Sequence, residues 1–111
     1  MPLYQIHIHM NPAEGRCDDF ERWYEDIHVD DVIRTTDGCR SGQRLWLRSS
    51  TGQASPNEHL AIYEVEADSA DVVIAALNAR RDDRTYVDGI LDTSQIAFSV
   101  YEAAGPRHES S

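Results

Sequence analysis

Two cysteines, Cys17 and Cys39, are all that this 111-residue chain contains. Two are too few for a disulfide framework, and in a reducing compartment both read as free thiols. No run is long and apolar enough to cross a bilayer. No basic segment leads into an apolar stretch at the amino terminus, so no secretory signal is read and a cytoplasmic location is expected. Positive charge is scarce: ten basic residues against 20 acidic ones give a net charge of −10. Phosphate backbones and anionic lipid surfaces require a basic face, so neither nucleic acid nor membrane is an expected partner. Gly-x-Gly-x-x-Gly, a P-loop and Cys-x-x-Cys are all missing, which argues against nucleotide, phosphate and iron–sulfur chemistry. Neither cysteine has a histidine near it in sequence, so thiolate catalysis has no support.

What is present reads as one domain, residues 1–104, with a flexible tail or dimer arm over residues 105–111. Leu3 to Met10 alternates as a strand, with Tyr4, Ile6, Ile8 and Met10 on an apolar face and Leu3, Gln5, His7 and His9 on a mixed one. Asn11-Pro12 ends it, and a helix follows to about Arg34, beginning near Arg16 because Gly15 weakens an earlier start. At roughly 100° per residue, Phe20, Trp23, Tyr24, Ile27 and Asp31 share the buried face, with His28 and Val32 flanking it. Eight acids fall between Glu14 and Asp31, most of them on the outer face of this helix. They read as a solvated face or, alternatively, as a preference for cationic partners. Gly38 suits the left-handed position just past the helix end.

Gln43 to Arg48 reads as a second strand, Ser49 to Glu58 as a hairpin loop, and His59 to Glu66 as a third strand. That third strand sets Leu60 and Ile62 against His59, Ala61, Tyr63 and Val65. Asp68 or Ser69 caps a second helix to about Arg81, buried through Val72, Val73, Ala76 and Leu77. A polar stretch with a short helical turn precedes the last strand, Gln95 to Glu102. The order βαββαβ predicts an α+β, ferredoxin-like domain with a four-stranded antiparallel sheet and two helices. Two helices leave one sheet face bare, and if the Tyr4-Ile6-Ile8 stripe lies there, a second copy is its simplest cover.

Phe20-x-x-Trp23-Tyr24-x-x-x-His28-x-x-Asp31, then Asp37-Gly38, Arg44 and Leu60-Ala61-Ile62-Tyr63-Glu64, resembles the EthD-like branch of the dimeric α+β barrel superfamily. The similarity runs from the first strand to Tyr101. It implies a homodimer whose sheets face one another, with a pocket in each protomer between sheet and helices. Members include polyketide cyclases, lactone isomerases and cofactor-independent monooxygenases, so the fold does not choose the reaction. In the lactone isomerases a histidine at the place of His28 lies in the active site.

His28 is the lead catalytic candidate, because an ordinary imidazole gives or takes a proton near neutral pH. Asp31, three residues on, is close enough to fix its tautomer, and it is also the odd residue of the apolar face. Whether the two serve a substrate or merely satisfy each other stays open here. His7 and His9 share a strand face and could offer two nitrogens to a metal, but His-x-His alone does not define a centre, and no metal or cofactor is expected. They read instead as donors to a substrate oxygen. If the mixed strand faces coincide, His59, Tyr63, Ser99 and Tyr101 join them around one cavity, where phenols could stabilise an oxyanion. Trp23, Tyr24 and Trp46 read as core or wall residues; as a wall they would suit a flat aromatic ligand.

The expectation is a cofactor-independent acid–base enzyme for a small hydrophobic or aromatic carbonyl compound. It would cyclise or isomerise its substrate, with a pH limb near a histidine pKa. The alternatives are a monooxygenase, either cofactor-free or haem-dependent, and a non-catalytic protein that binds an aromatic metabolite.

Overall fold

A computed structural model describes residues 1–52 and 57–110. The strands are β1 (Leu3–Met10), β2 (Cys39–Trp46), β3 (His59–Glu66) and β4 (Ala97–Glu102), antiparallel in the order β2-β3-β1-β4. The first helical rod consists of α1 (Cys17–Trp23), a π-helical turn (Tyr24–His28) and α2 (Val29–Thr35); the second is α3 (Ala70–Ala79). This is the expected ferredoxin-like α+β architecture. β2 begins earlier in the chain than its alternation suggested. Of the hairpin loop expected over Ser49–Glu58, residues 53–56 lie outside the described ones. No helix among the described residues is long and apolar enough to cross a membrane.

The sheet places both helical rods on one face. Tyr4, Ile6, Ile8 and Met10 of β1 point into that layer and are buried, together with Ala61, Tyr63 and Val65 of β3. The apolar stripe of β1 is therefore the floor of the core and not a bare surface. The helices cover the more apolar side, where burial stabilises most. The uncovered face carries Gln5, His7 and His9, with Leu45, Leu60, Ile62, Ser99 and Tyr101 as same-side neighbours. Gly38 takes φ +82° as expected, and a Cβ there would meet the Glu66 carbonyl oxygen at 2.2 Å. Ser69 caps α3 by accepting a hydrogen bond from the Val72 amide. Val73 is the buried residue of α3, whereas Val72, expected inside, is exposed. Both cysteines are free thiols. In the tail, Arg107 donates to Glu64 across the uncovered face at 2.8 Å.

Candidate active site

The first helical rod departs from a regular α-helix at the residues that matter most. Between Tyr24 and His28 the chain takes a π turn, and the Val29 amide bonds back five residues to the Tyr24 carbonyl. Such a turn inserts one residue into the α-helical phase. The inward stripe therefore runs Phe20, Trp23, Tyr24, His28, Val32 and Thr35, in place of one continuing through Ile27 and Asp31. Ile27, expected inside, is 40% exposed, and His28, expected at the edge, is 6% exposed. The energetic reason is plain: the shift buries Val32 and Thr35 where an unbroken α-helix would have turned a carboxylate and Arg34 inward. It also brings together residues five apart, which a 3.6-residue turn would set roughly 140° from each other. The Trp23 and His28 rings stack, with centroids 4.3 Å apart and planes at 24°.

His28 opens onto a cavity of about 210 Å³ enclosed by the sheet, both helical rods and the segment after α3. Its apolar wall is Ile8 and Met10 from β1, Val32 from α2, Leu77 from α3, Leu91 and Ile96 from the connecting segment, and Phe98 from β4. Trp23, Asn78, Arg81, Arg84 and Tyr86 complete the lining. The Tyr86 ring lies 5.6 Å from the imidazole. Burial, reinforced by the Arg84 charge and only partly opposed by Asp31, pushes the His28 pKa down to about 4. The imidazole is thus neutral at physiological pH, and its buried Nδ1 has no hydrogen-bond partner among the described residues.

Asp31 does not orient the imidazole. Its carboxylate receives Arg34 at 2.9 Å and the Thr85 amide at 2.8 Å. Burial raises its pKa, but these two donors outweigh that and hold it below the usual value. Trp23 Nε1 donates to the Thr85 carbonyl at 2.8 Å, so the rod grips both polar groups of the Thr85 backbone. Arg84, next in the chain, donates through Nε to Thr35 Oγ1 at 2.8 Å. Its Nη2 reaches Thr36 Oγ1 at 3.2 Å and the Leu77 carbonyl at 2.6 Å. The role of Asp31 is therefore positional: it anchors the segment that carries Arg84 and Tyr86 over His28.

The remaining candidates are not gathered in this cavity. His7 and Tyr101 lie on the uncovered sheet face, ring to ring at 4.6 Å, and His7 Nε2 is 2.9 Å from Gln5 Oε1. His9 shares that face, whereas His59 and Tyr63 point to the helical side, so the mixed strand faces do not coincide. His9, Trp46 and His59 border a separate cleft of about 480 Å³. Tyr24 and Tyr63 are buried in the core. Burial lifts the first to a pKa of about 12 and the second higher still, so neither ionises. No group of three or more potential metal-ligating side chains forms among the described residues. Arg81, Arg84 and Tyr86 escaped sequence reasoning because they sit in a polar stretch without periodicity. Their one signal is three arginines, Arg80, Arg81 and Arg84, close together in an acidic chain. Comparisons with protein-family models, curated proteins and solved structures find no match.

Proposed function

We propose that the chain is a cofactor-independent acid–base enzyme that isomerises a small carbonyl compound, in keeping with its resemblance to the EthD-like branch of the dimeric α+β barrels. The observation that carries this reading is a neutral, cavity-facing imidazole beside a fixed guanidinium. Arg84 is pinned through Nε and Nη2 to neutral acceptors, while its Nη1 makes no hydrogen bond among the described residues. In the proposed reaction His28 takes the proton next to a carbonyl, and Nη1 of Arg84 holds the oxygen as it gains negative charge. The imidazolium so formed is disfavoured beside Arg84, which drives the proton back onto another carbon. Substrate and product then differ only in where that proton and one double bond sit.

The cavity volume supports isomerisation over polyketide cyclisation. Pockets for drug-sized ligands span about 300–1,000 Å³, and 210 Å³ suits a body of about one ring. A homodimer closed through the uncovered sheet face, with Leu45 and Tyr101 exposed on it, belongs to the same reading, and light scattering would test it. The direct test is exchange of the activated proton of small enolisable ketones in deuterated water, followed by NMR. His28→Ala should lower exchange by about 10²–10⁴-fold while circular dichroism stays unchanged. Exchange that is equal in the variant refutes the role of His28. Chelators and anaerobiosis should leave exchange intact, whereas an oxygen requirement would favour the monooxygenase alternative.

A further inference from the structure

The basic residues of this chain are all arginines, ten in number. Among the described residues, all but Arg48, Arg81 and Arg84 are ion-paired with a carboxylate. Arg48 has a substitute partner, the face of Trp46 at 4.9 Å. The two left without a counter-ion line the same cavity, and among the described residues no aspartate or glutamate lines it with them. In a protein of net charge −10 this is a local inversion of sign. Arg80 and Arg34 beside them are ion-paired with Asp83 and Asp31 at 2.9 Å each, so those two carboxylates are taken up by the flanking arginines, and Asp82, next to Arg81 in the chain, makes no ion pair with it among the described residues. A guanidinium presents a rigid fork of donors matched to a carboxylate.

We infer that the ligand of this cavity is a small organic acid, an apolar body of about one ring whose carboxylate is received by Arg81 at the cavity wall. The apolar residues Ile8, Met10, Leu91 and Phe98 then take the body, and Arg84 Nη1 is left for the reacting oxygen. This deepens the proposed function by naming its substrate class, and it rests on that reading for the reaction but not for the binding. A neutral ligand of the same shape leaves Arg81 without its counter-ion and binds less tightly.

The test uses benzoate and benzamide, which share a ring and differ in charge. Binding is read from Trp23 fluorescence in a Trp46→Phe background, where Trp23 is the sole tryptophan. Benzoate should bind saturably and about tenfold or more tighter than benzamide, as expected of a charge-assisted hydrogen bond. In Arg81→Gln that preference should fall below about threefold, and Arg81→Lys should restore part of it. Arg81 is exposed and makes no side-chain bond among the described residues, so the substitution leaves folding untouched. Equal affinity for the two probes, no saturable binding of either at millimolar concentration, or a preference that survives Arg81→Gln each overturns the inference. Binding is measured without turnover. Benzoate selectivity without proton exchange would therefore refute the proposed reaction and leave the acid-binding site standing, and the converse result would do the reverse.

Discussion

Two clusters flanking the first helical rod carry the same kinds of residue and arrive at opposite arrangements. In one, Arg44 is ion-paired to Glu21 at 2.8 Å and to Glu25 at 3.1 Å. Trp46 Nε1 donates to Glu21 at 2.8 Å, and His59 Nδ1, itself without a hydrogen bond among the described residues, has the same carboxylate 3.7 Å away as a counter-charge. In the other, among the described residues, Arg84 meets only neutral oxygens, Trp23 is bonded to a backbone carbonyl, and His28 has an unpartnered nitrogen with no carboxylate beside it in the cavity lining. Histidine, tryptophan and arginine recur, and the carboxylate is what differs. Where acids reach the cluster it closes on itself as a structural network. Where they are withheld it is left with a charge and a lone pair to offer a ligand. A site is recognised here by missing partners more than by the residues present.

The sharpest way to break that contrast is to change the helical phase that produces it, because function should then be lost while the fold survives. Deleting Ile27 removes the residue that the π turn displaces, leaving an ordinary α-helix with Trp23, Tyr24, His28 and Val32 still inward. Deleting Asp30 also restores α-helical phase to Val32, but it leaves Ile27 inward and rotates His28 toward solvent. Both variants should fold. Proton exchange should persist in the first and fall by about 10²–10⁴-fold in the second, where the imidazole should titrate near its ordinary value of about 6.5. Equal activity in both would show that the π turn does not serve the site.

The π turn also marks the limit of what the sequence discloses. Alternation in Leu3–Met10 and His59–Glu66, the Gly38 turn and the Ser69 cap each follow from local chemistry, so element order and fold class were legible. The helical phase was not, because a uniform 100° step carries Ile27 and Asp31 inward. A trace of the truth was visible: an aspartate in an apolar stripe, with Val32 one position later able to complete it. Which strand faces coincide depends on pairing register, and a mixed face such as that of β3 reads equally well toward solvent or toward helices. His59 and Tyr63 therefore looked like companions of His7 and Tyr101, while pairing with Met10 and Ile6 turned them to the opposite side.

A second contrast lies between the two buried histidines and should appear in acid. Burial lowers both pKa values; around His59 Glu21 opposes it more strongly than Arg44 adds to it and the value stays below the ordinary one, whereas around His28 Arg84 adds more than Asp31 opposes and the value falls to about 4. An unfolded histidine titrates near 6.5, so between pH 6.5 and 4 the unfolded chain binds a proton that the folded chain refuses. Stability linked to His28 is thus complete above pH 6.5 and is lost as pH falls toward 4, by about 3 kcal/mol in all. Urea unfolding at pH 7 and at pH 4.5 should show this loss in the parent, and His28→Gln should reduce it by a similar amount. An equally steep fall in the variant would assign the acid sensitivity to the carboxylates instead.

The smallest expected effect separates the two arginine environments by stability alone. Arg44 is 6% exposed along its side chain, with its guanidinium 5.3 Å from the centre of the Tyr24 ring. Arg44→Met keeps most of the packing volume but leaves Glu21 and Glu25 facing an uncharged wall. Breaking a fully buried pair costs about 3–5 kcal/mol. Glu21 is 30% and Glu25 65% exposed, so solvent takes over part of their solvation and about 2 kcal/mol is expected here. Arg81→Met removes a charge that has no partner to lose, and its effect should stay within about 0.5 kcal/mol. Denaturant unfolding of the two variants at pH 7 measures the difference directly. If Arg81→Met instead raises stability, the unpaired cation is itself a cost in the free protein, held for the ligand that neutralises it. If Arg81→Met destabilises as much as Arg44→Met, Arg81 is structural, and the contrast between a closed network and an open site fails at its simplest point.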